Sequence, residues 1–330
     1  MRNSSPITRR LLSLSMLDGV GPATLRALSE IELSDDDNID VVARRSTKIS
    51  KALEPHGAWE RAQERADEQI RSADLAESEI LSWVDSAYPE LLRKTKDAPY
   101  FLFMKGQFHS DPLKSVAIIG TRGPTDHGQK IADRIARFFV DNHWSVVSGL
   151  ALGVDATAHR ATLDARGHTV AVLAHGLQTI APTSHRELAQ QILEAGGALV
   201  SEYPFGTPPL PTQFVKRDRT QAGLAQGVVM IQSDLKGGSL HASRAALEYG
   251  RWLAAPFPTD RDQSANEPKI QANLTLSSGS EQQKRELLRC STQDLARLII
   301  LRQREDYPEL LSKSIQSDFT SPLLDQPRLL

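Results

Sequence analysis

The 330-residue sequence predicts an α/β fold, a doubly wound and mainly parallel sheet preceded by a small helical domain. Three observations predict it. Short apolar runs begin at Val116, Ser145, Thr169, Ala198, Val228 and Trp252, with starts 29, 24, 29, 30 and 24 residues apart. Most of the intervals hold a stretch with apolar residues at helical spacing. The runs themselves are continuously apolar rather than alternating, as strands covered by helices on both faces are.

In chain order, residues 1–80 are polar and helical, with an acidic loop at 34–40. Within them Leu17-Asp18-Gly19-Val20-Gly21-Pro22 reads as a turn entering a helix. Such a turn either presents N–H groups to a phosphate or simply joins two helices. Residues 81–113 connect this part to the sheet. Residues 114–280 form the sheet domain, with helices expected over 127–142, 154–166, 184–195 and 239–250. In the first of these Ile131, Ile135, Phe138 and Phe139 share one face. Residues 281–330 read as a tail with a helix around 294–304 and no winged-helix pattern.

Composition narrows the function. The single cysteine, Cys290, excludes a disulfide framework or a multi-cysteine zinc site. No apolar run is long enough for a signal peptide or a membrane span, so a cytoplasmic protein is expected. The 39 Lys and Arg against 41 Asp and Glu argue against a broadly basic nucleic-acid surface. Divided along the chain, residues 1–113 carry 15 basic and 19 acidic groups, residues 114–260 carry 14 and 12, and residues 261–330 carry 10 and 10. The sheet domain is mildly basic.

Open parallel sheets bind ligands outside the carboxyl ends of their strands, so the residues after each run carry the functional signal. The first run ends in Gly120-Thr121-Arg122-Gly123, small residues plus a guanidinium fork suited to phosphate. No G-x-G-x-x-G follows, which removes the dinucleotide fingerprint. The second run leads into Ser148, Gly149 and Gly153 at a helix start, a turn able to bind an anion. Asp155 and His159 lie four apart there, and without further ligands they read as a cap or an internal hydrogen bond rather than a metal pair. His175 and His185 read as isolated polar surface residues. After the fourth run Phe214, Lys216, Arg217 and Arg219 combine positive charge with an aromatic platform, the combination that holds single-stranded nucleic acid. The plainer alternative is a charged helix start with Arg217 or Arg219 paired to Asp218 or Glu202. The fifth run leads to Lys236, Gly238 and Ser239 at a helix N-terminus, a third phosphate-compatible turn. In a doubly wound sheet these turns converge on one crevice.

Together these residues resemble the DprA/Smf family of DNA-processing proteins. The resemblance runs from about Tyr88 to Gly279, through YPELL, DAPYFLFMKG, VAIIGTR, SGLALGVDATAH, TVAVLAHGL, ALVSEYPFGTPP, FVKRDR, LKGGSL and EYGR. It implies an extended Rossmann-like domain that binds single-stranded DNA without sequence preference, acts as a homodimer in natural transformation and DNA recombination, loads the RecA recombinase, and has no catalytic reaction or cofactor. Arg122 matches the family's GxR arginine, Ser148, Gly149 and Gly153 its second loop, Phe214, Arg217 and Arg219 its FxxRNR, and Gly238 and Ser239 its SGS turn. The sequence departs from the pattern at Ala181 and His185, at Asp218 between the two arginines, and at Gln232, where the family has glutamate. It also departs at Pro256-Phe257, at Gln271-Ala272-Asn273 and across residues 237–243.

Two other function classes stand beside this one. The crevice also resembles that of phosphoribohydrolases, but residues 236–243 lack the carboxylate those enzymes use, so nucleotide sensing fits better than hydrolysis. A structural adaptor with a decayed site is the third.

Overall fold

The computed structural model describes residues 4–30 and 38–315; most of the acidic 34–40 loop and the last fifteen residues of the expected tail lie outside them. The described residues hold nine strands in one sheet: β1 Glu79–Ser82, β2 Phe101–Gly106, β3 Ser115–Ile119, β4 Ser145–Ser148, β5 Thr169–Leu173, β6 Ala198–Ser201, β7 Gly227–Met230, β8 Trp252–Pro256 and β9 Leu298–Leu301. Their order is β1-β2-β6-β5-β4-β3-β7-β8-β9. From β6 to β9 every pairing is parallel, while β1–β2 and β2–β6 are antiparallel. The six expected runs are β3 to β8.

Helices α1 Pro6–Ser15, α2 Pro22–Ser29, α3 Ile39–Arg45, α4 Thr47–Leu53 and α5 Ala58–Leu75 precede the sheet. Leu11, Leu14, Leu25, Leu28, Val42 and Ile49 form their shared core, and Leu12, Ala66 and Ile70 pack on Ile80 and Phe103 of the antiparallel hairpin. The short α6 Glu90–Arg93 lies between β1 and β2. Then come α7 Asp126–Asp141, α8 Val154–Asp164, α9 Arg186–Glu194, α10 Pro211–Gly223 and α11 Ser239–Glu248, followed by α12 Asp260–Ser264, α13 Gln271–Ser278, α14 Glu281–Leu288, α15 Thr292–Leu295 and α16 Tyr307–Ile315.

β3 shows why both faces must be covered. Val116 and Ile118 pack toward Ile135 and Phe139 of α7 and Ala158 of α8, while Ala117 and Ile119 join the opposite core with Ala222, Leu240, Ala246 and Leu276. All five β3 residues are buried, as the continuous apolar run requires. Thr125 starts α7 by accepting the Gly128 N–H on its hydroxyl at 3.2 Å.

Two regions differ from expectation. The connecting segment contains β2 and the end of β1, which begins at Glu79 within the part expected to be helical, and the two strands extend the sheet beyond β6. The helix expected around 294–304 is instead a single turn, α15, followed by β9, which pairs in parallel with β8. Leu-Ile-Ile-Leu suits an edge strand: Ile299 and Leu301 turn inward, and their neighbours are half-exposed.

Candidate nucleic-acid interface

The chain enters the parallel sheet at β3, builds β4, β5 and β6 to one side, and returns past β3 to add β7, β8 and β9 on the other. This reversal between β3 and β7 is where an open α/β sheet parts its loops. A cavity of about 390 Å³ opens there, lined in part by Gly120, Thr121, Arg122, Asp155, Phe214 and Gly238.

Three loops build it by direct contact. Thr121 donates its N–H to the Gln232 carbonyl at 2.9 Å and accepts from the Val154 N–H at 3.2 Å, so the loop after β3 is tied to those after β7 and β4. Gly153 permits the second tie. Its φ is +78°, and a Cβ there would fall 2.5 Å from the Arg122 carbonyl carbon. On the third wall, the Leu240 and His241 N–H groups bond the Gly237 and Gly238 carbonyls. That leaves the Gly238 and Ser239 N–H groups at the mouth of the cleft, at the start of α11.

The floor is a buried charge cluster. Arg217, only 4% exposed, donates to the Gly149 and Val172 carbonyls and to Asp218 Oδ1 at 3.1 Å. Asp155 accepts the Ala151 N–H at 3.3 Å. Burial raises the Asp155 carboxyl above its usual range, with Arg217 opposing the shift. Burial likewise pushes Asp218 up to about 6; Arg217 works against this, and the Asp155 charge adds to it. Gly149 has no room for a Cβ, which would sit 2.4 Å from the Arg217 guanidinium.

Apart from Arg219, the residues singled out in the sequence divide into three groups. Gly120, Thr121, Arg122, Phe214, Arg217, Gly238 and Ser239 line the cleft. Arg122 is exposed, and its Cζ lies 5.5 Å from the Phe214 ring centroid, with Arg217 at 5.8 Å from the same ring. Ser148, Gly149 and Gly153 shape the cleft from behind; Ser148 is buried and its hydroxyl donates to the Ile118 carbonyl at 2.6 Å. Lys216 and Lys236 are exposed outside the lining.

The two arginines of the basic cluster follow the plainer of the two sequence readings, Arg217 pairing with Asp218 and Arg219 with Glu202. Arg217 is committed to the floor as described. Arg219 points the other way, donating to Glu202 and the Asp97 carbonyl with Asp97 Oδ2 at 3.7 Å from its Nε. It lines a second cavity of about 490 Å³ against Gly21, Pro22 and Arg26 of the N-terminal helices. Residues two apart on a helix cannot face the same groove, so the cluster is dense in sequence and split in space.

The histidines differ from expectation. His175 and His185 are buried; His185 Nδ1 lies 2.8 Å from the Leu150 carbonyl. Asp155 and His159, by contrast, make the local and internal hydrogen bonds expected of them, Asp155 with the Ala151 N–H and His159 Nδ1 with Thr169 Oγ1 at 2.7 Å. Sequence reasoning passed over Gln221 and Asp234, which line the cleft, and Lys269, whose ammonium lies beside Gly123. Gln221 carried a signal, one turn beyond Arg217 on α10. Lys269 carried none. Gln232 binds Thr125 through both ends of its amide, accepting the N–H at 3.0 Å and donating to Oγ1 at 2.9 Å. A carboxylate there could only accept.

Fold and cleft together define a doubly wound α/β protein with an anion-compatible crevice at the sheet's switch point. Residues 79–283 match the family model of DNA recombination-mediator protein A, and the chain belongs to that family. It is 40% identical over 172 residues to protein Smf of Escherichia coli K12, covering 52% of this chain and 46% of that protein. It is 34% identical over 185 residues to DNA processing protein DprA of Streptococcus pneumoniae, covering 56% and 65%. The first two curated relatives are thus matched over less than half of their length. Among solved structures, DprA of S. pneumoniae superposes with a TM-score of 0.62 at 26% identity, covering 82% of this chain and 97% of that one. DprA of Helicobacter pylori, solved for its single-stranded DNA binding mode, gives 0.53 at 29% identity, covering 61% and 88%. Among the described residues no helix is long and apolar enough to cross a membrane.

Proposed function

We propose that the cleft binds single-stranded DNA through its phosphates, in DNA processing. One observation carries the reading: three glycine-bearing loops meet at the switch point, where the exposed Arg122 guanidinium, the Phe214 ring and the open Gly238 and Ser239 N–H groups surround one cavity. Cation, N–H donors and an aromatic platform together suit a phosphodiester with an unstacked base. The single-stranded DNA bound by the H. pylori relative supports it. Lys216, Lys236 and Lys269 extend positive charge around the cleft, so grip along the strand is electrostatic and indifferent to sequence. A second copy of the chain and a RecA-type recombinase are the partners we infer from the family, in a non-catalytic role. Fluorescence anisotropy with labelled single strands over a salt series tests the DNA reading. Binding that weakens steeply with salt and is lost in Arg122→Glu supports it, and no binding at low salt refutes it.

A second reading has an observation of its own. Although residues 236–243 hold no carboxylate, α8 and α10 place Asp155 and Asp218 in the cleft. A nucleotide-sized cavity with buried carboxylates also suits a mononucleotide. Release of free base from nucleoside monophosphates would establish hydrolysis in place of strand binding.

A further inference from the structure

The floor of the cleft holds one buried hydrogen-bond acceptor with no donor, and a carboxylate oxygen stands beside it on the cleft wall. Gln221 is 2% exposed and lines the cavity. Its Nε2 donates to Asp218 Oδ1 at 3.1 Å, which fixes the amide orientation and leaves the buried Oε1 without a partner. Asp218 Oδ1 also accepts from Arg217 Nε at 3.1 Å. The other carboxylate oxygen, Oδ2, lies 4.0 Å from where a Cβ on Gly238 would stand, on the cleft wall. Asp218 and Gln221 are three apart on α10 and so share one helix face. Buried acceptors are almost always satisfied in folded proteins, so an orphan inside a ligand cleft marks a place for a donor from the ligand.

Resting on the single-stranded DNA reading, we infer that the base entering the cleft is preferred when it carries an exocyclic amino group, whose hydrogens Asp218 Oδ2 and Gln221 Oε1 accept. Cytosine, adenine and guanine carry such an amine. Thymine does not: where cytosine has its 4-amino group thymine has a carbonyl, which would set an oxygen against two oxygens. Groups facing the Asp218 carboxylate are Arg217 on its own helix, Asp155 from α8 and Arg122 from the loop after β3. At neutral pH it is ionised and accepts. Phosphate contacts still hold any strand; the preference is superposed on them.

Oligo-dC, oligo-dT and an abasic strand of equal length, measured by anisotropy at one salt concentration, test this. The parent protein is expected to bind oligo-dC about fivefold tighter than oligo-dT. In Asp218→Asn that ratio falls to one or below, because an amide nitrogen at the cleft wall donates to the thymine carbonyl. The ratio cancels the general gain from losing a negative charge. Gln221→Leu shifts it in the same direction, and thermal melting confirms that each variant folds. Equal binding of oligo-dC and oligo-dT by the parent, or an unchanged ratio in both variants, overturns the inference. If the abasic strand binds while the ratio is one, only the base preference fails. If no strand binds, the single-stranded DNA reading fails with it.

Discussion

The floor and the mouth of the cleft use the same residue types for opposite purposes. At the floor, Arg217 is buried and spends its donors on two carbonyls and a carboxylate. At the mouth, Arg122 is exposed and rests against an aromatic ring. The first holds loops together, and the second is available to a ligand. Basic residues near a binding site therefore divide by what already occupies them, and each group fails in its own way when removed.

The largest effect expected is at the floor. Arg217→Ala leaves Asp155 and Asp218 buried without their counter-charge, and should cost about 3–5 kcal/mol in denaturant unfolding. A loss below about 1 kcal/mol would place Arg217 with the mouth residues.

Next is the pH dependence of the same cluster. Asp218 is raised from 3.8 to about 6 in the folded protein. Between these values the folded state holds a proton that the unfolded chain has released, so stability falls as pH rises through this window and stays lower above it. The penalty is about 2–3 kcal/mol at neutral pH. Asp218→Asn should remove it, so the difference between the two proteins' stabilities should change between pH 4 and pH 6 and level off above. A flat difference would mean that the carboxylate is not desolvated.

At the mouth the prediction reverses. Arg122→Glu should weaken single-stranded DNA binding by at least about tenfold while changing stability by about 0.5 kcal/mol or less. Equal losses in binding and stability would erase the distinction between floor and mouth. The smallest effect belongs to the rim. Lys236→Ala should lower the salt slope of log K by about 0.7, one phosphate contact on a single strand, with little change in melting temperature.

Much of the fold was legible because continuous apolar runs and helical spacing are local signals, and β3 to β8 fall where they point. β1 and β2 were not, since β2 pairs with β6, about a hundred residues further along the chain, and β1 is held through β2. β9 was misread because Leu298–Leu301 is short and its edge position is set by packing on β8. In the site, the glycines marked the loops and Arg122 marked the mouth. The sequence around Arg217 and Arg219 shows charge and hides direction. Only the path of α10 past β5 and β6 sends one guanidinium under the cleft and the other toward Glu202 and Asp97.

The parallel pairing of β9 with β8 also bears on where the chain can be cut. Every residue lining the cleft lies before residue 283, the end of the segment shared with the family. A protein ending there would keep every residue that lines the cleft and lose most of α14, α15, β9 and α16, exposing the backbone edge of Leu253–Pro256 and the apolar surface that Ile299, Leu301 and Leu310 cover. An open, flat, apolar strand edge recruits other chains. Among the described residues the last segment thus serves as a selvedge: it lines no part of the cleft and covers an edge that would otherwise recruit other chains.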